Sequence, residues 1–289
     1  PTYNRAKYIN EAIDSVLCQT FINFEILIVD DGSTDDTGLR IRKAYATDQR
    51  VRYYYKENEE RGAARNFGLA KSSGAYAVFF DSDDWMKQDY LQDLYNLITT
   101  VQPQPHMLAV KYLFRNEKGK EWSSTMEKVQ GGWYGIDAFL NGNMLACNYC
   151  VRIHDSIKPF PPERDLASME DWLFLLENLQ DRRIYIGESI GVIMREHSGR
   201  SVMNNQKVIR ARIKATEWAL KNLSLTDRQK RKLKGYSYYF CGVHEYIDRN
   251  KGASIKEAMR AIRWGGLQLP FIILIVKALI GKKWIEYIK

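Results

Sequence analysis

The chain has 289 residues, 45% of them hydrophobic and 27% charged, which is the composition of a folded protein with material for one large domain or one and a half. Its four cysteines are too few for a disulfide scaffold and favour a reduced, cytoplasmic setting, and no apolar run reaches the roughly eighteen residues of a membrane-spanning helix. The net charge of +8 is uneven: residues 1–204 carry −5 (24 Lys and Arg, 29 Asp and Glu), whereas residues 205–289 carry +13 (19 and 6).

Apolar periodicity predicts alternating helices and strands through the first hundred residues. Helices are predicted at 8–19, from the capping residues 33–36 to residue 46, at 62–71 and at 86–100. Strands are predicted at 24–29, 51–55 and 75–80. Because these strands are nearly all apolar, they indicate an α/β fold with a mostly parallel central sheet flanked by helices. Beyond residue 100, the pattern predicts strands at 106–115, 122–129, 183–186 and 191–195, helices at 134–140 and 169–179, and a basic helical region from 205 onward.

Two clusters of acidic residues follow predicted strands. Asp81, Asp83 and Asp84 come directly after the strand that ends at Phe80, and an Asp30-Asp31 pair follows the strand 24–29. In open α/β sheets ligands bind beyond the carboxyl ends of the strands, so both clusters are expected at one edge. Adjacent carboxylates repel one another, and a divalent cation with a phosphate-bearing substrate would compensate. The alternative is a simple turn, which Asp and Ser favour.

Five short motifs occur in one order along the chain, namely Pro1-Thr-Tyr-Asn-Arg5, Ile28-Val-Asp-Asp-Gly-Ser-Thr-Asp35, Gly62-Ala-Ala-Arg-Asn66, Asp81-Ser-Asp-Asp84 and Glu170-Asp171. With them the chain resembles inverting family 2 glycosyltransferases of the GT-A fold, of the kind that build bacterial surface polysaccharides. The resemblance implies a catalytic domain over 1–204, with a Rossmann-like nucleotide-sugar-binding half at 1–100 and an acceptor half at 101–204. In that family a short strand precedes the Pro-Thr-Tyr-Asn segment, so we expect this strand to be missing from the sequence.

The resemblance also implies roles for individual residues. The residues implied in donor binding are Thr2, Tyr3, Asp30, Asp31, Arg65, Asp81 and Asp84. The first four would lie at a uracil-type base and Asp81 at the ribose and sugar, whereas Asp84 would contact the sugar or support the residues that do. Asp83 would ligate Mn²⁺ or Mg²⁺. His197, in the segment Arg195-Glu-His-Ser198 that Ser201 follows, would be a further metal or diphosphate ligand. Asp171 would be the general base, because an alcohol is a poor nucleophile near neutral pH.

Three of these residues also have a purely structural explanation. Arg65 could be a helix-surface arginine, Asp171 could be one of the acids that suit a helix N-terminus, and His197 could be a structural residue. A nucleotidyltransferase of the same fold class would need a glycine-rich, lysine-containing phosphate loop, and residues 4–6 provide none.

The C-terminal tail combines apolar and basic residues. Eleven of the fourteen residues in 267–280 are aliphatic or aromatic, and Lys277, Lys282, Lys283 and Trp284 adjoin them. This pattern favours an interfacial helix on an anionic membrane, at the inner face of the cell membrane, where a polyprenyl-linked or glycan acceptor could be used. The alternatives are packing on the catalytic body or a homodimer contact. A non-catalytic protein that binds nucleic acid or a membrane through this tail is the competing function, and the apolar density argues against nucleic acid.

Overall fold

The computed structural model describes residues 1–154, 156–197 and 204–281, which form two compact units. The first unit comprises residues 1–135, 144–164 and 181–198, and the second comprises 136–143, 165–180 and the chain from 199 onward. The first unit contains α1 (Ile9–Leu17), β1 (Ile26–Asp31), α2 (Thr37–Tyr45), β2 (Val51–Lys56), α3 (Glu60–Lys71), β3 (Tyr76–Val78), β4 (Trp85–Met86), α4 (Tyr90–Thr100), β5 (Met107–Asn116), β6 (Glu121–Ser123), β7 (Gly132–Tyr134), β8 (Tyr149–Arg152) and β9 (Ile184–Glu196). The second contains α5 (Glu170–Asn178), α6 (Asn205–Asn222), α7 (Asp227–Ile247), α8 (Lys251–Gly265) and α9 (Leu269–Ile280).

The strands form a small parallel sheet and a larger mixed one. β1 pairs with β2 in parallel, from Ile26 opposite Val51 to Asp31 opposite Lys56. The larger sheet has the order β3-β8-β5-β9-β4, with β6 beside β5 and β7 beside β9. Its β5–β9 pair is parallel, and its other pairs are antiparallel. The predicted α/β class with helices around a central sheet is confirmed, and the predicted parallel pairing is found in β1–β2 and β5–β9.

Several local predictions beyond residue 120 were wrong. The predicted strand 122–129 is the short β6 followed by a 3₁₀ helix, Thr125–Lys128, because the Ser124 hydroxyl accepts a hydrogen bond from the amide of Met126 and caps that turn. The predicted helix 134–140 is reduced to a 3₁₀ turn at Ile136–Ala138. The two predicted strands 183–186 and 191–195 are one strand, β9, whose pairing with β5 shifts register near Lys111.

An apolar cavity of about 890 Å³ separates the two sheets. Residues of β1 such as Val29 line it, as do residues of β3 such as Val78. Thr2 forms an isolated parallel bridge with Asp30: its amide donates to the carbonyl of Val29 at 2.8 Å, and its own carbonyl accepts from the amide of Asp31 at 2.9 Å. This bridge fixes the first residues of the chain at the carboxyl end of β1.

The C-terminal region is helical from Asn205 to Ile280, as predicted. Asn204, Thr226 and Asn250 accept hydrogen bonds at the N-termini of α6, α7 and α8, and Thr226 forms a complete capping box with Gln229. Within the described ranges, no helix combines the length and the apolar character needed to cross a bilayer. Lys282, Lys283 and Trp284 lie outside the described residues.

Glycine is required where β9 passes α4. A Cβ atom at Gly191 would lie 2.1 Å from Cδ2 of the buried Tyr90 and 2.6 Å from Cγ2 of Val110. We therefore expect Gly191→Ala to lower the free energy of unfolding by about 1–3 kcal/mol through overpacking. Gly252→Ala is the matched control, because a Cβ there meets nothing within 4 Å and alanine suits a helix better than glycine, so this change should not lower the free energy of unfolding. Urea unfolding of both variants checks this, and equal stabilities would contradict the packing argument.

Candidate active site

The three acids after β3 lie together in the structure. Asp81, Asp83 and Asp84 each offer a carboxylate oxygen within 4.8 Å of the others. The amide of Asp84 donates to the carbonyl of Asp81 at 3.3 Å, so the segment is also a turn. The turn and site interpretations are compatible here, because the turn is what gathers the carboxylates.

Two arginines and a histidine surround this acid cluster. Arg65, which is only 4% exposed, places Nη2 3.0 Å from Oδ1 of Asp81. Oδ2 of Asp83 lies 3.0 Å from Nε of Arg5 and 3.0 Å from Nε2 of His197. Burial alone would raise the pKa of Asp81, but the charges of Arg65 and of Arg61 outweigh it and hold that pKa below its usual value.

Arg195 ties the end of β9 to the acid cluster. Its backbone amide donates to Oδ1 of Asp84 at 2.8 Å, and its Nε donates to the carbonyl of Asp83 at 2.9 Å. Its Nη2 lies 2.6 Å from Glu11 of α1, and its guanidinium stands 3.6 Å from the ring centre of Trp85. Asp84, buried at 4% exposure, is thus fixed by the backbone of another strand. Ser198 and Ser201 of the same predicted motif lie outside the described residues.

The second acid cluster ends β1, and Asp31 is its hydrogen-bonding centre. Oδ1 of Asp31 lies 2.9 Å from Nζ of Lys56 and accepts from the amide of Glu59 at 3.0 Å. Oδ2 accepts from Nδ2 of Asn58 at 3.1 Å. A carboxylate has about four acceptor sites, so Asp31 keeps capacity for a ligand after these contacts.

Asp30 is more deeply buried, at 1% exposure, and its oxygens are both engaged within the protein. Oδ1 accepts from the amide of Ser33 at 2.8 Å, and Oδ2 accepts from the hydroxyl of Tyr53 at 2.7 Å. Burial and the nearby Asp30 raise the pKa of Tyr53 to about 12, so the phenol stays a donor at neutral pH. Gly32 permits the turn between Asp30 and Ser33. Its φ is +82, and a Cβ atom there would lie only 2.9 Å from the amide nitrogen of Asn58.

The two acid clusters lie at one edge of the first unit, although β1 and β3 belong to different sheets and not to the single sheet that the sequence predicted. Helix α3 links them, because Glu59 at its N-cap donates to Asp31 while Arg65, six residues and about 9 Å further along, binds Asp81. Arg5 provides a second link: its amide donates to Oγ1 of Thr37, just beyond β1, and its side chain binds Asp83.

The first residues of the chain also lie at this edge. Thr2 is buried at 3% exposure, and its Oγ1 has no hydrogen-bond partner among the described residues. Tyr3 is 47% exposed. The side chain of Asn4 accepts from the amides of Thr34 and Asp35, which closes the loop after β1. A buried, unsatisfied hydroxyl is costly, so Thr2 is a candidate ligand contact.

Asp171 belongs to the second unit, in the first turn of α5. Its Oδ2 accepts from Nδ2 of Asn143 at 2.8 Å, and its Oδ1 accepts from the amide of Trp172 at 2.8 Å. Trp172 is held in turn, because its Nε1 donates to the carbonyl of Phe139 at 2.7 Å and the guanidinium of Arg212 lies 3.7 Å from its ring centre. The carboxylate of Asp171 is therefore oriented by a packed surrounding.

The acid cluster fits a divalent cation. Ligands on opposite sides of such an ion are about 4–5 Å apart, since metal–oxygen distances are about 2.0–2.6 Å, and the carboxylate oxygens here lie within 4.8 Å of one another. Oδ2 of Asp81 and Oδ1 of Asp83 accept no hydrogen bond from any residue that the structure describes. Nε2 of His197 is engaged with Asp83, so its role as a metal ligand stays a prediction.

Sequence reasoning missed the partners of the predicted acids. Arg5 and Arg195 stand inside motifs that were recognised, but neither was assigned a role there. Lys56, Asn58 and Asn143 lie outside every motif. The position of Arg5 as the basic residue of the first motif was an available signal, whereas the pairing of Asn143 with Asp171 across 28 residues has no local signal.

Comparisons with known proteins agree on one family. The profile described as "Glycosyl transferase family 2" matches residues 1–156. Glycosyltransferase GlyA of Streptococcus pneumoniae serotype 4 is 44% identical over 102 residues, which is 35% of this chain but only 15% of GlyA. An uncharacterized glycosyltransferase of Haemophilus influenzae is 31% identical over 188 residues, which cover 63% of this chain and 70% of that protein.

Among solved structures, residues 1–349 of S. aureus TarS in complex with UDP-GlcNAc superpose with a TM-score of 0.69. The match has 21% sequence identity and covers 95% of this chain and 82% of that one. A complex of the same TarS fragment with UDP gives a TM-score of 0.65 at 22% identity. At this identity the superposition establishes the fold, which is of the GT-A type.

The Arg65–Asp81 ion pair predicts a pH dependence of stability. The folded-state pKa of Asp81 is lowered, so the ionised carboxylate stabilises the folded protein. This stabilisation is complete at pH values above the usual Asp pKa near 3.8, and it is lost as the pH falls through the lower pKa of the folded state. We expect Asp81→Asn to be less stable than wild type at pH 7, with the difference shrinking below about pH 4. The control is Asp36→Asn, an exposed N-cap residue whose side chain makes no cap hydrogen bond. Urea unfolding across pH measures both, and a pH-independent difference would contradict the ion-pair argument.

Proposed function

The chain belongs to glycosyl transferase family 2, and we propose that it transfers a sugar from a nucleotide-sugar, with UDP as the nucleotide, to a hydroxyl of a glycan or polyprenyl-linked acceptor in polysaccharide biosynthesis. The observation that carries this proposal is the acid cluster after β3, gathered within 4.8 Å and surrounded by arginines. A site with this composition suits a diphosphate whose negative charge grows as it leaves.

The donor end of the site is assigned from the loop after β1. Asp31 has acceptor capacity for the N–H of a uracil-type base, and the unsatisfied hydroxyl of Thr2 lies on the adjoining residue of the parallel bridge. Tyr3, exposed at the same edge, lines the base pocket in this proposal. Asp30 contributes indirectly by fixing the loop after β1, since its oxygens accept hydrogen bonds from Ser33 and Tyr53. The UDP and UDP-GlcNAc complexes of TarS support a uridine donor by likeness of fold.

The diphosphate end is assigned to the cluster after β3. Asp83 is the proposed ligand of Mn²⁺ or Mg²⁺, with Asp81 toward the ribose and sugar and Asp84 fixed behind them by the backbone of Arg195. A bound divalent cation would stabilise the departing nucleoside diphosphate without proton transfer. Arg5 lies against Asp83 and Arg65 lies against Asp81, and the positive charge of both guanidinium groups would favour a diphosphate bound nearby.

Asp171 is the proposed general base. It would take the proton of the acceptor hydroxyl as that oxygen attacks the anomeric carbon from the face opposite the leaving group, which inverts the configuration. The hydrogen bond from Asn143 orients its carboxylate for this task. The position in the first turn of α5 favours the ionised form, which is the form that accepts a proton.

Metal dependence gives the first test of this function. We expect nucleoside diphosphate release, screened over a panel of nucleotide-sugars, to be stimulated by Mn²⁺ or Mg²⁺ and removed by EDTA. Asp83→Asn should abolish the metal-stimulated part, a loss on the order of 10²-fold in kcat, because it removes one charged ligand. Asp93→Asn, in the first turn of α4, serves as the control and should keep the stimulation. Full stimulation in Asp83→Asn would remove that residue from the metal site.

The second test separates donor binding from transfer. Asp171→Asn should bind UDP with unchanged affinity by calorimetry, yet lower transfer by about 10²-fold or more, since the amide cannot accept the proton. Asp165→Asn is the matched control in the same unit, because that carboxylate is 70% exposed and pairs with Lys214. Unchanged transfer in Asp171→Asn would assign the base to another residue.

A further inference from the structure

Helix α9 is apolar apart from Lys277, although only one of its sides is covered. Phe271, Leu274 and Ala278 are buried, and the ring of Phe271 packs 5.1 Å from that of Tyr236 in α7. The other side exposes a row that we call the α9 strip: Leu269, Ile272, Ile273, Val276, Leu279 and Ile280.

The α9 strip is continuous along the helix. Counted from Leu269, the other members lie 3, 4, 7, 10 and 11 residues further along, which places them on a single face. Exposure ranges from 40% at Ile272 to 68% at Leu269. Soluble monomers rarely expose a contiguous apolar surface of this kind unless it is an interaction site.

Basic side chains border the strip. Lys277 is the only charged residue of α9, and Nζ of Lys251 donates to the carbonyl of Leu279 at the end of that helix. The neighbouring α8 exposes Lys256, Arg260 and Arg263. Residues 251–281 hold five Lys or Arg and a single acid, Glu257, which pairs with Arg260.

The end of α8 carries an aromatic residue of the type found at membrane interfaces. Trp264, at the end of α8, is 38% exposed, and Nζ of Lys234 lies 4.0 Å from its ring centre. Tryptophan and lysine side chains suit the boundary between hydrocarbon and lipid headgroups, because each has an apolar part and a polar group that can reach water.

We propose that the α9 strip is a membrane-binding surface that inserts into the headgroup region of an anionic phospholipid bilayer. An apolar centre with a basic border matches the layers of such a bilayer, which offers hydrocarbon below a negatively charged surface. A second copy of the chain is a poorer occupant, because a two-fold contact would place each basic border against its own counterpart. The proposal goes beyond the transfer reaction and does not depend on the identity of the donor.

Vesicle sedimentation of the full chain tests the proposal. We expect binding to vesicles of phosphatidylcholine mixed with phosphatidylglycerol, and much weaker binding to phosphatidylcholine alone. The double variant Ile273→Gln/Val276→Gln should lower the partition coefficient by roughly tenfold or more, because two apolar side chains no longer enter the bilayer. Lys277→Gln should lower it by a few-fold, an effect that added salt removes.

The matched control is Ile22→Gln, an isoleucine of the first unit that is 81% exposed. It should bind vesicles like wild type, and thermal unfolding confirms that each variant is folded. Nucleoside diphosphate release without vesicles should be unchanged in the strip variants, which separates this proposal from the transferase one. Equal vesicle binding by wild type and the double variant would overturn the proposal. The proposal would also be overturned if the wild type did not bind anionic vesicles but formed a dimer, measured by light scattering, that the double variant disrupted.

Discussion

Repulsion among the carboxylates of Asp81, Asp83 and Asp84 is the constraint around which the first unit is arranged. Each acid is held by a group from a different part of the chain: Arg65 of α3 on Asp81, Arg5 on Asp83, and the backbone of Arg195 at the end of β9 on Asp84. These contacts reach across 16, 78 and 111 residues. The acids can therefore gather only when α3, the first residues and β9 have all reached their places, so the fold and the site depend on each other.

The location of the site could be predicted because it follows from strand ends. An apolar run that stops at a group of acids marks both the end of a buried strand and the polar edge beyond it, and both facts are local. The partners of those acids are not local. Lys56 at the end of β2 and Asn58 just after it reach Asp31, and Asn143 reaches Asp171 from a loop with no regular structure, so only the tertiary fold shows these contacts.

The direction of strand pairing was beyond what the apolar pattern contains. A strand buried on both faces has the same sequence signature in parallel and antiparallel sheets, and β8 is buried at three of its four residues between β3 and β5 with antiparallel partners on both sides. Alternation with helices correctly indicated the parallel β1–β2 pair. It carried no information on the second half, where hairpins and short 3₁₀ turns replace the helical connections.

The composition of the C-terminal region is compatible with two binding functions, and the exposure of individual side chains favours one of them. A basic region with Trp and Tyr could bind a phosphate backbone or a lipid surface, and charge alone does not separate them. A nucleic-acid groove needs cations at its centre, where they neutralise phosphates, with aromatic rings available for stacking. On α9 the arrangement is reversed: Leu269, Ile273 and Val276 form the centre and Lys277 stands at its edge. Desolvating that centre is favourable only against another apolar phase. In our proposal the basic border selects an apolar phase with a negative surface, which a phospholipid bilayer provides and a nucleic acid does not.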